Sequence, residues 1–431
     1  MSDEFKIKKC RSCGYNKLIR IISLGNQYVT NFVNTKEEQK NIPQVPLNLV
    51  LCENCKLLQL EHNAPNDSMW GDQYWYKSNI NRLIREDLRD ITEKAIKISN
   101  PGRESIVIDI GCNDGTLLDS YNKNKGLVLV GFEPSKNVAM EAEKKGFQII
   151  QNFFNAEDFK KNFGERKAKI ITAISMFYDL EDPNPFVEDI TKILDKDGLL
   201  IIQQNYLMKM LENNAFDNIC HEHREYYSLI SLKNLLDKCG LEIFDVEQNE
   251  INGGSIRTYI KFKENKNMVG FFGAKERIKT LIDKEKTAHL DTPEPYKKFA
   301  DRISDIKERM LEFLKEEKKR GGKICALGAS TRGNTMLQFF ELGPNLIDCI
   351  FDRNADKWGK KTVGTLIPIE SPDKIGKFNP THQLVLIWHI FRGINEDERE
   401  FVNKGGKFIL PLPIIKIISD LSADNPNFKK E

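Results

Sequence analysis

The 431-residue sequence lacks an excess of charge of either sign: 65 Lys and Arg stand against 63 Asp and Glu, a formal net charge of +2. A dedicated nucleic-acid binder carries a clear basic surplus, so that class is set aside. No stretch approaches 18 consecutive apolar residues, which excludes a membrane-spanning helix. The opening MSDEFKIKKC has no apolar core of a secretory signal. The expectation is a soluble cytoplasmic protein, so its nine cysteines are reduced and serve metal binding or chemistry before disulfides. No short-period repeat is visible. What is present is 40% hydrophobic residues and 25 Phe, enough for several cores and, at roughly 150 residues each, about three domains.

Four cysteines form two pairs, Cys10-Arg-Ser-Cys13 and Cys52-Glu-Asn-Cys55. Two CxxC turns supply the four soft ligands of a closed tetrahedral zinc site, with no position open for catalysis. Gly14 suits the tight turn after the first pair. Residues 1–80 show no basic run with interleaved aromatics, so nucleic-acid recognition by this module is disfavoured.

Residues 106–118 read IVIDIGCNDGTLL: a short apolar strand, a sharp turn at Gly111, Asn113, Asp114 and Gly115, and a helix from Thr116. A strand followed by D-x-G-x-x-x-G is a ligand loop at the carboxyl end of a parallel sheet. It is not GxGxxG, and its acidic interior suits a ligand with an amino group and a sulfonium better than a pyrophosphate. A second strand, 128–132, ends at Glu133, placed to accept both ribose hydroxyls of an adenosine. S-adenosylmethionine has this combination of needs. Candidate cofactor contacts are Asp109, Gly111, Asn113, Asp114, Gly115, Glu133, Pro134, Phe153 and Ser175. Phe153 flanks the adenine or packs in the core. Segments 169–175, 184–194 and 198–203 continue a doubly wound strand-helix-strand pattern, with a turn at Asp197-Gly198.

The chain has only six histidines, and two lie in FDNICHEHREYYSL at 216–229. His221, Glu222, His223, Glu225, Tyr226 and Tyr227 are a dense set of proton-carrying groups. It is not the HExxH of a metalloprotease, because position 225 is Glu. A histidine titrating near neutrality is a natural general base, and a carboxylate can orient it. Asn252-Gly253-Gly254-Ser255-Ile256-Arg257 adds glycines for close backbone approach and an Arg on the following strand.

Residues 263–320 are Lys- and Glu-rich, with Ile303, Ile306, Met310, Phe313 and Leu314 at helical spacing bounded by the Pro293–Pro295 turn, and read as a long helix connecting two domains. A strand from Ile324, the turn Gly328-Ala329-Ser330-Thr331-Arg332-Gly333-Asn334, and a strand 347–351 ending at Asp352 form a second Rossmann-like unit. Its turn either holds a phosphate, with Arg332 adding charge, or is a fold remnant without a ligand. Trp388-His389 follows the strand 384–387.

Taken together, the paired CxxC motifs, Tyr74-Trp75-Tyr76-Lys77-Ser78, DIGCNDGTLL, GFEPS, HEHREYYSL, NGGSIR and GASTRGNTMLQ resemble the sugar C-methyltransferase family, from Cys10 to about Pro413. The resemblance implies an α/β multidomain fold. A central doubly wound class I methyltransferase sheet (81–262) is flanked by a small zinc-binding domain (1–80), and a helical connector (263–320) leads to a C-terminal Rossmann-like domain (321–431). It implies His223 as the base, with Glu222, His221 and Tyr76 as further catalytic residues. Tyr74, Tyr226, Arg257, Ser330, Arg332 and Asn334 then contact a nucleotide-linked ketodeoxysugar. The cofactors are S-adenosylmethionine and a structural zinc, and a monomer is favoured. Three positions differ from the family pattern: Cys220 stands in place of Tyr, Ser175–Asp179 in place of Asn-Val-Phe-Ala-His, and Gln203 in place of Glu. Transfer to oxygen or nitrogen, and a non-catalytic nucleotide-sugar-binding protein, remain the alternatives.

Overall fold

Between the two cysteine pairs, apolar side chains build a small antiparallel sheet. The structure, a computed structural model, describes residues 5–70, 74–121, 126–391 and 396–420. Strands β1 (Leu18–Tyr28), β2 (Phe32–Val33), β3 (Gln44–Cys52) and β4 (Leu58–Leu60) belong to this first module. β1, β3 and β4 pair in that order, and the fourth strand of the sheet comes from residues 225–226.

After α1 (Arg82–Ser99) the chain alternates: β5 (Ile106–Ile110), α2 (Thr116–Ser120), β6 (Val128–Phe132), α3 (Lys136–Lys144), β7 (Gln148–Ile150), α4 (Ala156–Phe163), β8 (Ala168–Ile174), α5 (Pro183–Ile193) and β9 (Leu194–Asn205). These five strands are parallel. There follow α6 (Leu207–Glu212), β10 (Glu225–Tyr226) and α7 (Leu229–Asp237). The antiparallel pair β11 (Leu241–Asn249) and β12 (Ser255–Phe262) completes a seven-stranded sheet of order β11-β12-β9-β8-β5-β6-β7. All five residues of β5 are buried, as in a strand covered on both faces. Strand order reverses between β5 and β8, and a crevice opens beyond their carboxyl ends. The turn expected at Asp197-Gly198 is a bulge inside β9, where the partner of Ala168 is Leu194 and that of Ile170 is Leu199. A Cβ on Gly198 would sit 2.6 Å from Leu194 Cδ1.

The long helix expected with its bound at the Pro293–Pro295 turn is α9 (Glu294–Lys319), and a further helix, α8 (Ala274–Thr287), precedes it beside β11. The prolines at 293 and 295 start the second helix and cannot continue the first. The apolar side of α9 (Ile303, Ile306, Met310, Leu314) is buried. The last unit contains β13 (Ile324–Leu327), α10 (Thr331–Phe339), β14 (Ile350–Phe351), β15 (Lys361–Thr362), β16 (Ile369–Glu370), α11 (Ile375–Phe378), β17 (His382–Val385), α12 (Glu396–Asn403), β18 (Lys407–Leu410) and β19 (Lys416–Ile418). Its sheet runs β16-β14-β13-β17-β18-β19, parallel except for β19. β15 leaves it to pair with β2 of the first module. One apolar core joins Leu47, Leu49 and Leu60 of the first module to Met210 and Phe216 of the middle unit, and to Ile324 and Leu384 of the last. Among the described residues no helix is long and apolar enough to cross a membrane.

Candidate active site and cysteine cluster

The two CxxC turns converge. Cys10 and Cys55 Sγ lie 3.5 Å apart, as do Cys13 and Cys52, and all four sulfurs lie within 4.8 Å of one another. Four thiolates about 2.3 Å from one zinc are separated by about 3.8 Å, so the cluster fits the ion. Burial pushes the Cys52 thiol up to about 11, and the contact with Cys10 pushes Cys55 up as well. The same contact with Cys55 lowers Cys10 to about 5. Gln59 Nε2 donates to Cys10 Sγ at 3.2 Å, and its Oε1 accepts from Arg11 N, so the ligands are oriented from outside. The sulfurs share a core with Phe177 and Tyr227, which ties the metal to the middle unit.

At the crevice, Asp109 is the next-to-last residue of β5, and the chain turns through Gly111 (φ +70°) and Asn113 (φ +51°). The cavity holds about 1270 Å³, partly open to solvent. Asp109, Gly111, Asn113, Glu133, Pro134, Phe153 and Ser175 line it, so seven of the nine cofactor candidates come together. Glu133 is buried; its Oε2 accepts from Asn113 N (2.9 Å) and its Oε1 from Ser135 N (2.8 Å). Each oxygen retains acceptor capacity for a ribose hydroxyl. Burial pushes Glu133 up, and Asp109 up to about 7. Phe153 is 49% exposed, edge-on to Trp70 with 6.4 Å between ring centres, an apolar slot suited to an adenine. Five carboxylates (Asp87, Asp109, Glu133, Asp179, Glu181) and one guanidinium (Arg224) line the cavity, a balance that suits a sulfonium and an ammonium. The donor set therefore fits S-adenosylmethionine. Glu133→Ala should raise its Kd roughly ten- to hundredfold, measured by calorimetry, because hydrogen bonds to a charged acceptor are lost; an unchanged Kd would place the adenosine elsewhere.

Asp114 and Gly115 lie outside the cavity wall. The Asp114 carboxylate accepts from Thr116 N (3.2 Å) and from Asn79 N (3.0 Å), while Asn113 Oδ1 accepts from Ser78 N and its Nδ2 donates to Tyr76 O. The acidic loop thus uses these side chains to strap residues 74–79 across the crevice. The strap is held elsewhere by Asn137, which bonds both Tyr74 main-chain groups, and by Lys77, which pairs with Glu141 and Asp356. Tyr74 and Tyr76 line the cavity from it.

The His-Glu-His segment lies toward the last unit rather than in the cavity wall. His221 is buried with Nε2 2.8 Å from Val45 O, and Tyr226 sits in β10 with its hydroxyl donating to Asn218 O, so both are framework residues. His223 is half-buried, its Nδ1 2.9 Å from Asn218 O and its ring 4.4 Å from that of Tyr178. Burial, then the Arg332 guanidinium, push it down to about 3; the part of the residue open to solvent tempers the size of that drop but not its direction. Burial pushes Glu222 up to about 7, against hydrogen bonds from Thr331 and Tyr74.

Four expected substrate contacts are redirected. Arg257 is fully buried and donates to Asp87 (2.7 Å), Asp90 (2.6 Å) and Gln203 (2.7 Å), bracing the cavity from behind. Ser330 caps its own helix by accepting from Gly333 N. Arg332 donates to Asp217 (2.9 Å) and to Asn252 O (2.6 Å) and faces the Trp388 ring. Asn334 is 1% exposed inside α10. Trp388 donates to Asp217 and packs over Gly253, so it joins two units instead of facing open space. Trp70 lines the cavity without any sequence signal, while Met176 and Asp179 come from the segment 175–179 that departs from the family pattern. Asn252 also lines it and was within reach, being in the quoted NGGSIR motif.

A crevice at the switch point of a doubly wound sheet, with a ribose-accepting carboxylate after the second strand, defines an S-adenosylmethionine-dependent methyltransferase. Residues 10–70 match a family model described as a zinc binding domain, 76–246 one described as a methyltransferase domain, and 250–413 one described as a C-methyltransferase C-terminal domain. With that domain set from residue 10 to 413, the chain is an S-adenosylmethionine-dependent methyltransferase whose C-terminal part matches the C-methyltransferase model. It is 27% identical over 416 residues to the C-methyltransferase NovU of Streptomyces niveus, covering 96% of this chain and 97% of that protein. It is 24% identical over 192 residues to the tRNA U34 carboxymethyltransferase of Sulfurimonas denitrificans, covering 41% of this chain and 61% of that protein. An S-adenosylmethionine-dependent methyltransferase structure from Clostridium acetobutylicum superposes with a TM-score of 0.33 at 14% identity, over 41% of this chain and 92% of that one.

Proposed function

We propose that the enzyme methylates a ring carbon beside the ketone of a nucleotide-linked 4-ketodeoxysugar, with His223 as the base. One observation carries this reading: His223 Nδ1 lies on the carbonyl oxygen of Asn218, which only accepts, so Nδ1 holds the proton and Nε2 keeps a free lone pair. The lowered proton affinity keeps the ring neutral at physiological pH but makes it a weaker base than the near-neutral histidine expected from the sequence. Such a base removes a carbon-bound proton only where the resulting oxyanion is held. The phenol hydroxyl of Tyr76, carried on the strap and lining the cavity, is a candidate donor. Proton removal sends the C–H electron pair into the ketone, giving an enolate whose carbon is the nucleophile. Bound S-adenosylmethionine supplies a methyl group on a sulfonium leaving group. The chain's part is to orient the two reactants in line and exclude water between them.

The test is exchange. With S-adenosylhomocysteine and a candidate nucleotide ketosugar in heavy water, the proton beside the ketone should exchange by NMR. No exchange together with an O-methyl product would overturn carbon as the acceptor. We further propose a cytoplasmic monomer of deoxysugar or polysaccharide biosynthesis that binds neither membrane nor nucleic acid, its modules meeting near residues 80, 262 and 320. The near-neutral charge supports the last point.

A further inference from the structure

The Gly-rich turn of the last unit is closed by its own side chains. Asp352 accepts from Ala329 N (2.7 Å), the buried Lys357 donates to Ala329 O (2.6 Å), and Ser330 caps the following helix. A Cβ on Gly328 would lie 2.5 Å from Ile387 Cγ2. The turn has filled with protein atoms the space where a phosphate would approach. From its end Thr331, the first residue of α10, reaches the His-Glu-His segment: its hydroxyl lies 3.1 Å from Glu222 Oε1. Tyr74 bonds the same carboxyl group from the strap. Glu222 is thus held from two directions, by residues of two different units.

We infer that Thr331 is a positioning residue of the acceptor site: its hydroxyl donates to Glu222 and fixes that side chain, so the last unit serves as a wall of the active site. The inference rests on the reading of the His-Glu-His segment as the acceptor site. A donated hydrogen bond favours the carboxylate over the acid. The ionised Glu222 is then held in one place in the acceptor site, between the strap and the last unit. The other groups facing this corner are the Asp179 carboxyl, the Tyr74 hydroxyl, the Cys220 thiol and the Arg332 guanidinium. Burial and the Glu222 charge push Asp179 well above the usual carboxylate range, and Arg332 is spent on Asp217. The Thr331 and Tyr74 donors are what oppose burial here, and Thr331 is the one the last unit provides.

The full-length protein labelled with [13C]carboxyl glutamate tests this without an acceptor, so a failure here is told apart from a wrong sugar. The Glu222 resonance is assigned by its loss in Glu222→Gln and followed against pH. The wild type should titrate near 7. Thr331→Val and Thr331→Ala should raise the midpoint by about one unit, and Thr331→Ser should restore it. The Kd for S-adenosylmethionine should be unchanged in all three, which also reports folding. With the acceptor present, Thr331→Val should lower kcat about tenfold near pH 7, and less at higher pH where Glu222 ionises again. An unchanged midpoint in both Thr331→Val and Thr331→Ala would overturn the inference.

Discussion

His223→Ala is expected to lower kcat by about 10²–10⁴-fold, the range for loss of a general base, while Kd for S-adenosylmethionine stays at its wild-type value. The separation follows from position. His223 is not part of the cavity that holds the cofactor candidates, and the ring's own ties are one hydrogen bond to Asn218 O and one edge contact with Tyr178. Removing these from a half-buried site costs about 1–2 kcal/mol, which a folded domain tolerates. Single-turnover kinetics and calorimetry on the same preparation check it. Turnover retained in His223→Ala would remove the imidazole from the chemistry. A Kd that rises in parallel with the loss of kcat would show that the ring shapes the cofactor cavity instead.

Cys52→Ser, or a chelator, should remove about one zinc per chain and abolish activity at temperatures where the central sheet remains folded. Structural zinc sites contribute about 10–16 kcal/mol in small zinc modules, as much as the whole stability of a domain. Loss of one ligand therefore unfolds the module. Cys52 is the last residue of β3; β3 pairs with β4, and β4 pairs with β10, two residues beyond His223. Main-chain bonding continues the link, since Leu60 N donates to Arg224 O at 2.8 Å. The cysteine cluster is thus linked to the His-Glu-His segment through a sheet. Hydrogen exchange is the measurement: amides of β4 and β10 should lose protection on zinc removal while those of β5 keep it. Protection of β10 that survives loss of the zinc would show that the segment is held from the other side alone.

The features that were legible in sequence are those whose chemistry is local. Two CxxC turns must each aim two sulfurs at one point, and a strand ending in Asp109-Ile110-Gly111 must turn where a ligand sits; both readings need only a few consecutive residues. The endpoints of long side chains were not legible. Arg257 on a strand reads the same whether it faces a substrate or, as here, carboxylates on α1 some 167–170 residues earlier. Asn113 and Asp114 carry the acidity that suggested the cofactor, yet they spend their side chains on the strap, a contact between segments 35 residues apart. Tyr226 looked like one more proton carrier beside the histidines because β10 is only two residues long and has no pattern apart from its partner β4. The start of α9 at Pro293–Pro295 was legible because proline begins a helix, whereas α8, a Lys- and Glu-rich helix, was not distinguished from its surroundings.

The order in which the chain is made acquires a meaning from the shared sheet and the β2–β15 pair. The cysteine module emerges from the ribosome first, yet its sheet lacks a strand until residue 226 has been synthesised, and β2 lacks a partner until residue 362. At about 5–20 residues per second these gaps last from roughly ten seconds to about a minute. Metal capture by the four cysteines can come early, since all four lie within the first 55 residues. Completion of the module waits for the rest of the protein. A ribosome stalled between residues 60 and 220 would therefore display a metal-loaded module with an open strand edge, the form of this protein most exposed to pairing with another chain.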